Sequence, residues 1–81
     1  MEPEQAFGEV LRSPRRAKGL SQEALALEAD MQRNYVSLLE LGKNSASVRV
    51  IFRLCAVLGI TPSQFFAEVE NRMRKEKRRH E

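Results

Sequence analysis

Apolar residues along this 81-residue chain recur at three- and four-residue spacing, and no stretch alternates at the two-residue spacing of a half-buried strand. Such spacing puts the apolar side chains on one face only if the backbone is helical. Three of the apolar runs stop at a glycine, Gly19, Gly42 or Gly59. A residue without Cβ suits the left-handed backbone that ends a helix. The fold class expected is therefore all-α, with five helices.

The first segment lines up Phe7, Val10, Leu11 and Ala17 and ends at Lys18-Gly19. Pro14 lies inside it, where a missing backbone N–H predicts a kink or a break, with Ser13 able to cap a restarted helix. A second, short helix starts after Ser21, a good N-cap, carries Leu25, Ala26 and Ala29, and turns at Asp30-Met31. The third runs from about Gln32 to Leu41 and buries Val36 and Leu39, leaving a polar opposite face. Ser47 caps a fourth helix, in which Val48, Ile51, Phe52, Cys55 and Leu58 form one broad core stripe. Thr61-Pro62-Ser63-Gln64 pairs a capping box with proline at the first helical position and opens a fifth helix through Phe65, Phe66 and Val69.

Eighty-one residues hold one core, so a single domain is expected over 1–71, followed by a basic extension over 72–81 that frays. The net charge of +3 is unevenly spread: eight Lys/Arg against nine Asp/Glu leave residues 1–71 at −1, and six against two put residues 72–81 at +4. Bulk charge therefore does not mark the domain as a nucleic-acid binder. The single cysteine, Cys55, sits in an apolar run and reads as a buried thiol in a reducing compartment. A basic segment followed by a long apolar stretch is absent at the N-terminus, so a cytoplasmic protein with no membrane partner is expected. One histidine and one cysteine, without paired carboxylates, a phosphate loop or metal-ligand spacing, argue against an enzyme and against a metal or other cofactor.

Residues 22–41 have the form of a helix-turn-helix. Leu25, Ala26, Ala29, Met31, Val36 and Leu39 fall where two crossing helices must face each other, and the small Ala26 permits a close approach. Gln22, Gln32, Arg33, Asn34 and Ser37 fall elsewhere. Three stretches, Arg16-Ala17-Lys18-Gly19-Leu20-Ser21-Gln22-Glu23-Ala24-Leu25-Ala26, Arg33-Asn34-Tyr35-Val36-Ser37-Leu38-Leu39-Glu40-Leu41-Gly42 and Leu58-Gly59-Ile60-Thr61-Pro62, together identify a resemblance that runs from about Phe7 to Phe66. The chain resembles the lambda repressor and Cro-like (Xre) family of helix-turn-helix regulators. In size and in Arg-Asn-Tyr-Val-Ser it looks most like the controller proteins of restriction-modification systems.

The resemblance implies a five-helix lambda repressor-like domain that sets the helix from Gln32 in the major groove of double-stranded DNA, with Gln22 on the backbone. The side chains suit those roles. Arg33 can bond guanine in a bidentate way, Asn34 suits adenine, and Gln32 and Ser37 reach base edges or phosphate. Tyr35, Lys43 and Asn44 suit phosphate oxygens. Glu40, an acid near a helix C-terminus, is expected to pair with a basic side chain. The family pattern is broken at Asp30, which stands where glycine is usual and must take a left-handed backbone, at Pro14, which replaces an apolar residue, and at Ala46, which replaces a common proline.

One recognition helix covers few base pairs, so a homodimer on two half-sites is expected. Ile60, Phe65, Phe66 and Val69 are its candidate interface, and core burial of Phe65 or Phe66 fits the sequence equally well. The alternative function is an antitoxin or other protein-interaction module that also binds DNA. No small-molecule ligand is expected.

Overall fold

A computed structural model describes the backbone of residues 1–80 and the side chains through Glu76. Five helices follow one another: α1 (Pro3–Ala17), α2 (Gln22–Glu28), α3 (Arg33–Glu40), α4 (Val48–Leu58) and α5 (Pro62–His80). No strand occurs among the described residues.

The helix ends are built from local chemistry. The Ser21 hydroxyl accepts from the Ala24 N–H at 3.0 Å, and the Ser47 hydroxyl from the Val50 N–H at 3.2 Å. At Thr61 the capping box is complete. Its hydroxyl takes the Gln64 N–H at 3.1 Å, while the Gln64 side-chain oxygen takes the Thr61 N–H at 3.0 Å. Gly42 and Gly59 close α3 and α4 in left-handed backbone, φ 73° and 72°.

The core is one cluster contributed by all five helices. Ala6, Phe7, Val10 and Leu11 of α1 meet Leu25 and Ala26 of α2, Val36 and Leu39 of α3, Leu54, Cys55 and Leu58 of α4, and Phe65 and Val69 of α5. Phe7 and Phe65 stack with ring centroids 4.8 Å apart and planes tilted by 59°, an aromatic pair that fastens α5 to α1. Burial raises the pKa of the Cys55 thiol, as an inert core residue requires.

Three expectations are corrected. Helix α1 is unbroken through Pro14, so of the kink or break expected there the break does not occur. The proline costs one ladder bond, but the next residue, Arg15, is anchored in the interior, and the Lys18 N–H still reaches the Pro14 carbonyl at 3.1 Å. Tertiary anchoring keeps the last turn helical where local preference alone would end it. On α4 the core stripe is narrower than its apolar composition suggests, since Val48 is 71% and Phe52 59% exposed. Gln32 is the N-cap of α3 and not its first residue. The basic extension expected to fray spans residues 72–81, and the side chains of residues 77–81 lie outside the described residues.

Candidate nucleic-acid interface

Helices α2 and α3 meet through a four-residue turn whose shape depends on one backbone angle. Asp30 has φ 58°, the left-handed conformation expected of it. The turn is closed by the Met31 N–H, which donates to the Ala26 carbonyl at 2.9 Å. Leu25, Ala26, Ala29, Val36 and Leu39 are all buried, so the two helices are packed as one rigid piece.

That packing fixes the first turn of α3 outward. Gln32, Arg33 and Asn34 are exposed, and Ser37, one turn further on, is half-buried. Among the described residues, none of these four side chains takes part in a hydrogen bond or ion pair within the chain. Their donors and acceptors are therefore free for a ligand while their backbone is held. Lys43 and Asn44 are exposed in the loop after α3. Tyr35 is half-buried, and its hydroxyl donates to the Ser45 carbonyl at 3.3 Å. The Ser45 hydroxyl in turn donates to a Glu4 carboxylate oxygen at 3.2 Å, so the loop after α3 is tied to the start of α1.

Gln22, like Tyr35, already has its polar group engaged within the chain. Nε2 donates to Oε1 of Glu40 at 3.1 Å. Glu40 is buried at the end of α3 and pairs with a basic side chain, as expected, and the partner is Arg15. Nε of Arg15 donates to Oε2 at 2.5 Å and Nη2 to Oε1 at 3.0 Å, a two-pronged arrangement. Arg15 also donates through Nη1 to the Leu20 carbonyl at 2.8 Å, and the half-exposed Arg12 adds a longer contact to Glu40 at 3.5 Å. Burial works against ionisation of Glu40, but hydrogen bonds from Arg15 and Gln22 and the nearby guanidinium charges outweigh it and hold the carboxyl below its ordinary range. The same bond raises the Arg15 pKa.

The buried position of Arg15 was not read from the sequence, although a signal for it exists. Leu11 and Arg15, and likewise Val36 and Glu40, stand four residues apart, so each charge lies on the apolar face of its helix. Opposite charges on two core-facing stripes are the mark of an internal pair.

The expected dimer patch is also redrawn. Phe65 and Val69 are 2% and 6% exposed and belong to the core of the single chain, because α5 lays that face onto α1. Ile60 is half-buried and Phe66 is 42% exposed, so of the four only these two present surface. Val48 and Phe52, one turn apart on α4, supply the apolar surface that the sequence assigned to the core.

A family model described as helix-turn-helix matches residues 11–65. The chain belongs to this family. As a member of the helix-turn-helix family of Xre-like proteins it is a DNA-binding transcriptional regulator. It is 40% identical over 65 residues to the control protein C.MunI of Mycoplasma sp, an alignment that covers 79% of this chain and 88% of the relative. Among solved structures, the restriction-modification controller protein C.AhdI from Aeromonas hydrophila superposes with a TM-score of 0.74 at 40% identity, covering 76% of this chain and 94% of that one. The clp gene regulator ClgR from Corynebacterium glutamicum superposes with a TM-score of 0.94 at 26% identity, covering 99% of this chain and 85% of that one. Among the described residues no single helix is long and apolar enough to cross a membrane.

Proposed function

We propose that the protein binds a specific double-stranded operator as a homodimer and, as the restriction-modification controller protein C.AhdI does by name, controls a restriction-modification locus. The observation that carries this reading is the first turn of α3, where Gln32, Arg33 and Asn34 are exposed and unpaired on a helix whose other face is locked in the core. Arg33 reads guanine through its fork of donors, Asn34 reads adenine, and Gln32 and Ser37 complete the base contacts. Gln22, Tyr35, Lys43 and Asn44 hold the phosphates on either side and set the register without reading sequence.

Two copies are needed because one α3 spans too few base pairs for useful selectivity. A two-fold dimer places its recognition helices about 34 Å apart on one face of the duplex. Val48 and Phe52 on α4 and Phe66 on α5 are the exposed apolar side chains best suited to that contact. No metal, cofactor or small molecule takes part in this reading.

Selection of bound sequences from random DNA, followed by sedimentation of the complex, tests it. A two-fold symmetric site bound by two chains is the expected result. Binding with no sequence preference, or by one chain alone, overturns it.

A further inference from the structure

Glu40 lies at the far end of α3 from the exposed side chains Gln32, Arg33 and Asn34, yet it touches a side chain proposed to meet the DNA backbone. Its Oε1 accepts from Gln22 Nε2 at 3.1 Å while both carboxylate oxygens are held by Arg15. A carboxylate can only accept, so it selects one of the two orientations open to the Gln22 amide and turns the nitrogen toward itself. The amide is planar and carries two N–H groups. With one committed to Glu40, the second is directed away from the carboxylate, and the amide cannot rotate without losing the first bond. Arg15 prevents the carboxylate from moving, since it is itself fixed to the Leu20 carbonyl at 2.8 Å.

We propose that Glu40 is a positioning residue for DNA binding: held by Arg15, it presents the second amide proton of Gln22 to a backbone phosphate in the orientation that phosphate needs. The inference rests on the proposed role of Gln22 as a phosphate contact. Its physical content is preorganisation. A free glutamine must give up rotamer freedom to donate one hydrogen bond, and here that freedom is already spent in the folded protein. The same buried charges join α1, the turn before α2, the start of α2 and the end of α3. Gln22 therefore keeps a fixed distance from the base-reading turn of α3.

A cycle of variants tests the coupling with binding to operator and to random duplex DNA as the readouts. Gln22→Ala in the natural protein is expected to weaken both about ten-fold or more, as the loss of one hydrogen bond to a charged acceptor does. The second background carries Arg15→Met together with Glu40→Leu, because replacing both members of a buried pair by apolar side chains commonly preserves the fold. In that background Gln22→Ala is expected to cost less than two-fold, since the untethered amide contributes little. Equal losses in both backgrounds overturn the proposal, as does a natural protein indifferent to Gln22→Ala. If the natural protein binds no duplex DNA at all, the functional reading itself falls. Should the paired replacement not fold, the Gln22 side-chain amide in the NMR spectrum of the natural protein decides. One proton protected from exchange before and after DNA is added, with only the other shifting, supports the tether. Loss of that protection on binding overturns it.

Discussion

A Cβ added at Gly8 would stand 2.5 Å from the carbonyl oxygen of Glu40 and 2.5 Å from that of Leu39. Helix α1 thus crosses the end of α3 backbone against backbone, and the atoms in the way belong to a helix that cannot retreat without carrying its first turn with it. Gly8→Ala is expected to destabilise the fold by about 2 kcal/mol, the range of overpacked cores, despite alanine's better helix propensity. A thermal melt should show a drop of about 8 to 16 °C for a domain of this size. An unchanged melting temperature would show that the two helices can separate freely.

Arg33→Ala should leave the fold intact, because the side chain is exposed and makes no hydrogen bond or ion pair among the described residues. Specific binding should weaken by about 1 to 3 kcal/mol with relaxed preference at one base pair in each half-site. Titrations on specific and random duplexes measure both. Equal losses on the two would mean that Arg33 meets phosphate only.

Asp30 holds a left-handed backbone at φ 58°, which glycine adopts without strain. Asp30→Gly should therefore be neutral or stabilise by up to roughly 1 kcal/mol in a urea melt, with a gain in unfolded-chain entropy setting the lower end. Clear destabilisation would require an interaction of the aspartate beyond the turn geometry.

Acid should attack the fold through Glu40. Its carboxyl is held below the ordinary value of about 4.3 in the folded chain, so the folded state binds fewer protons than the unfolded one as the pH drops toward and below that value. The contribution to stability is complete above the unfolded pKa and is lost as the pH falls through the folded one. Urea melts between pH 7 and pH 3 should show a steep acid limb in the natural protein. The limb should flatten in the chain carrying Arg15→Met with Glu40→Leu.

Phe52→Glu is the cleanest probe of assembly, since Phe52 is exposed and is not among the residues packed on the core. Phe66 is less suitable, because its ring lies 5.8 Å from that of Phe65 and 6.3 Å from that of Phe7. The variant should sediment as a folded monomer and retain weak, salt-sensitive binding to a half-site, with loss of the avidity that joins two modules. A dimer with normal operator affinity would move the interface away from α4.

Whatever is decided within a few residues of chain was legible in advance. Ser21, Ser47 and the Thr61–Gln64 box start their helices, Gly42 and Gly59 end theirs, and Asp30 takes the backbone its place requires. What depends on the neighbouring helix was not. The apolar stripe of α4 is real, but only the packing of the other helices decides that Leu54, Cys55 and Leu58 are covered and Val48 and Phe52 are not. Phe65 and Val69 have the same character as Phe66, and it is the rotation of α5 on α1 that separates them. In the candidate site, the outward residues of α3 follow from periodicity, whereas the bond between Gln22 and Glu40 joins two helices that no spacing rule connects.

The stacking of Phe7 on Phe65 brings the two ends of the domain side by side. The hairpin of α2 and α3 closes a short loop at little entropic cost, whereas α1 and α5 must find each other across almost the whole chain. The hairpin proposed to meet DNA is therefore cheap to close, but its apolar face is covered only when α1, itself backed by α5, packs against α3. A fragment limited to residues 22–41 would hold the right letters and lose the shape, and a ribosome could release a working regulator only after α5 had left the exit tunnel.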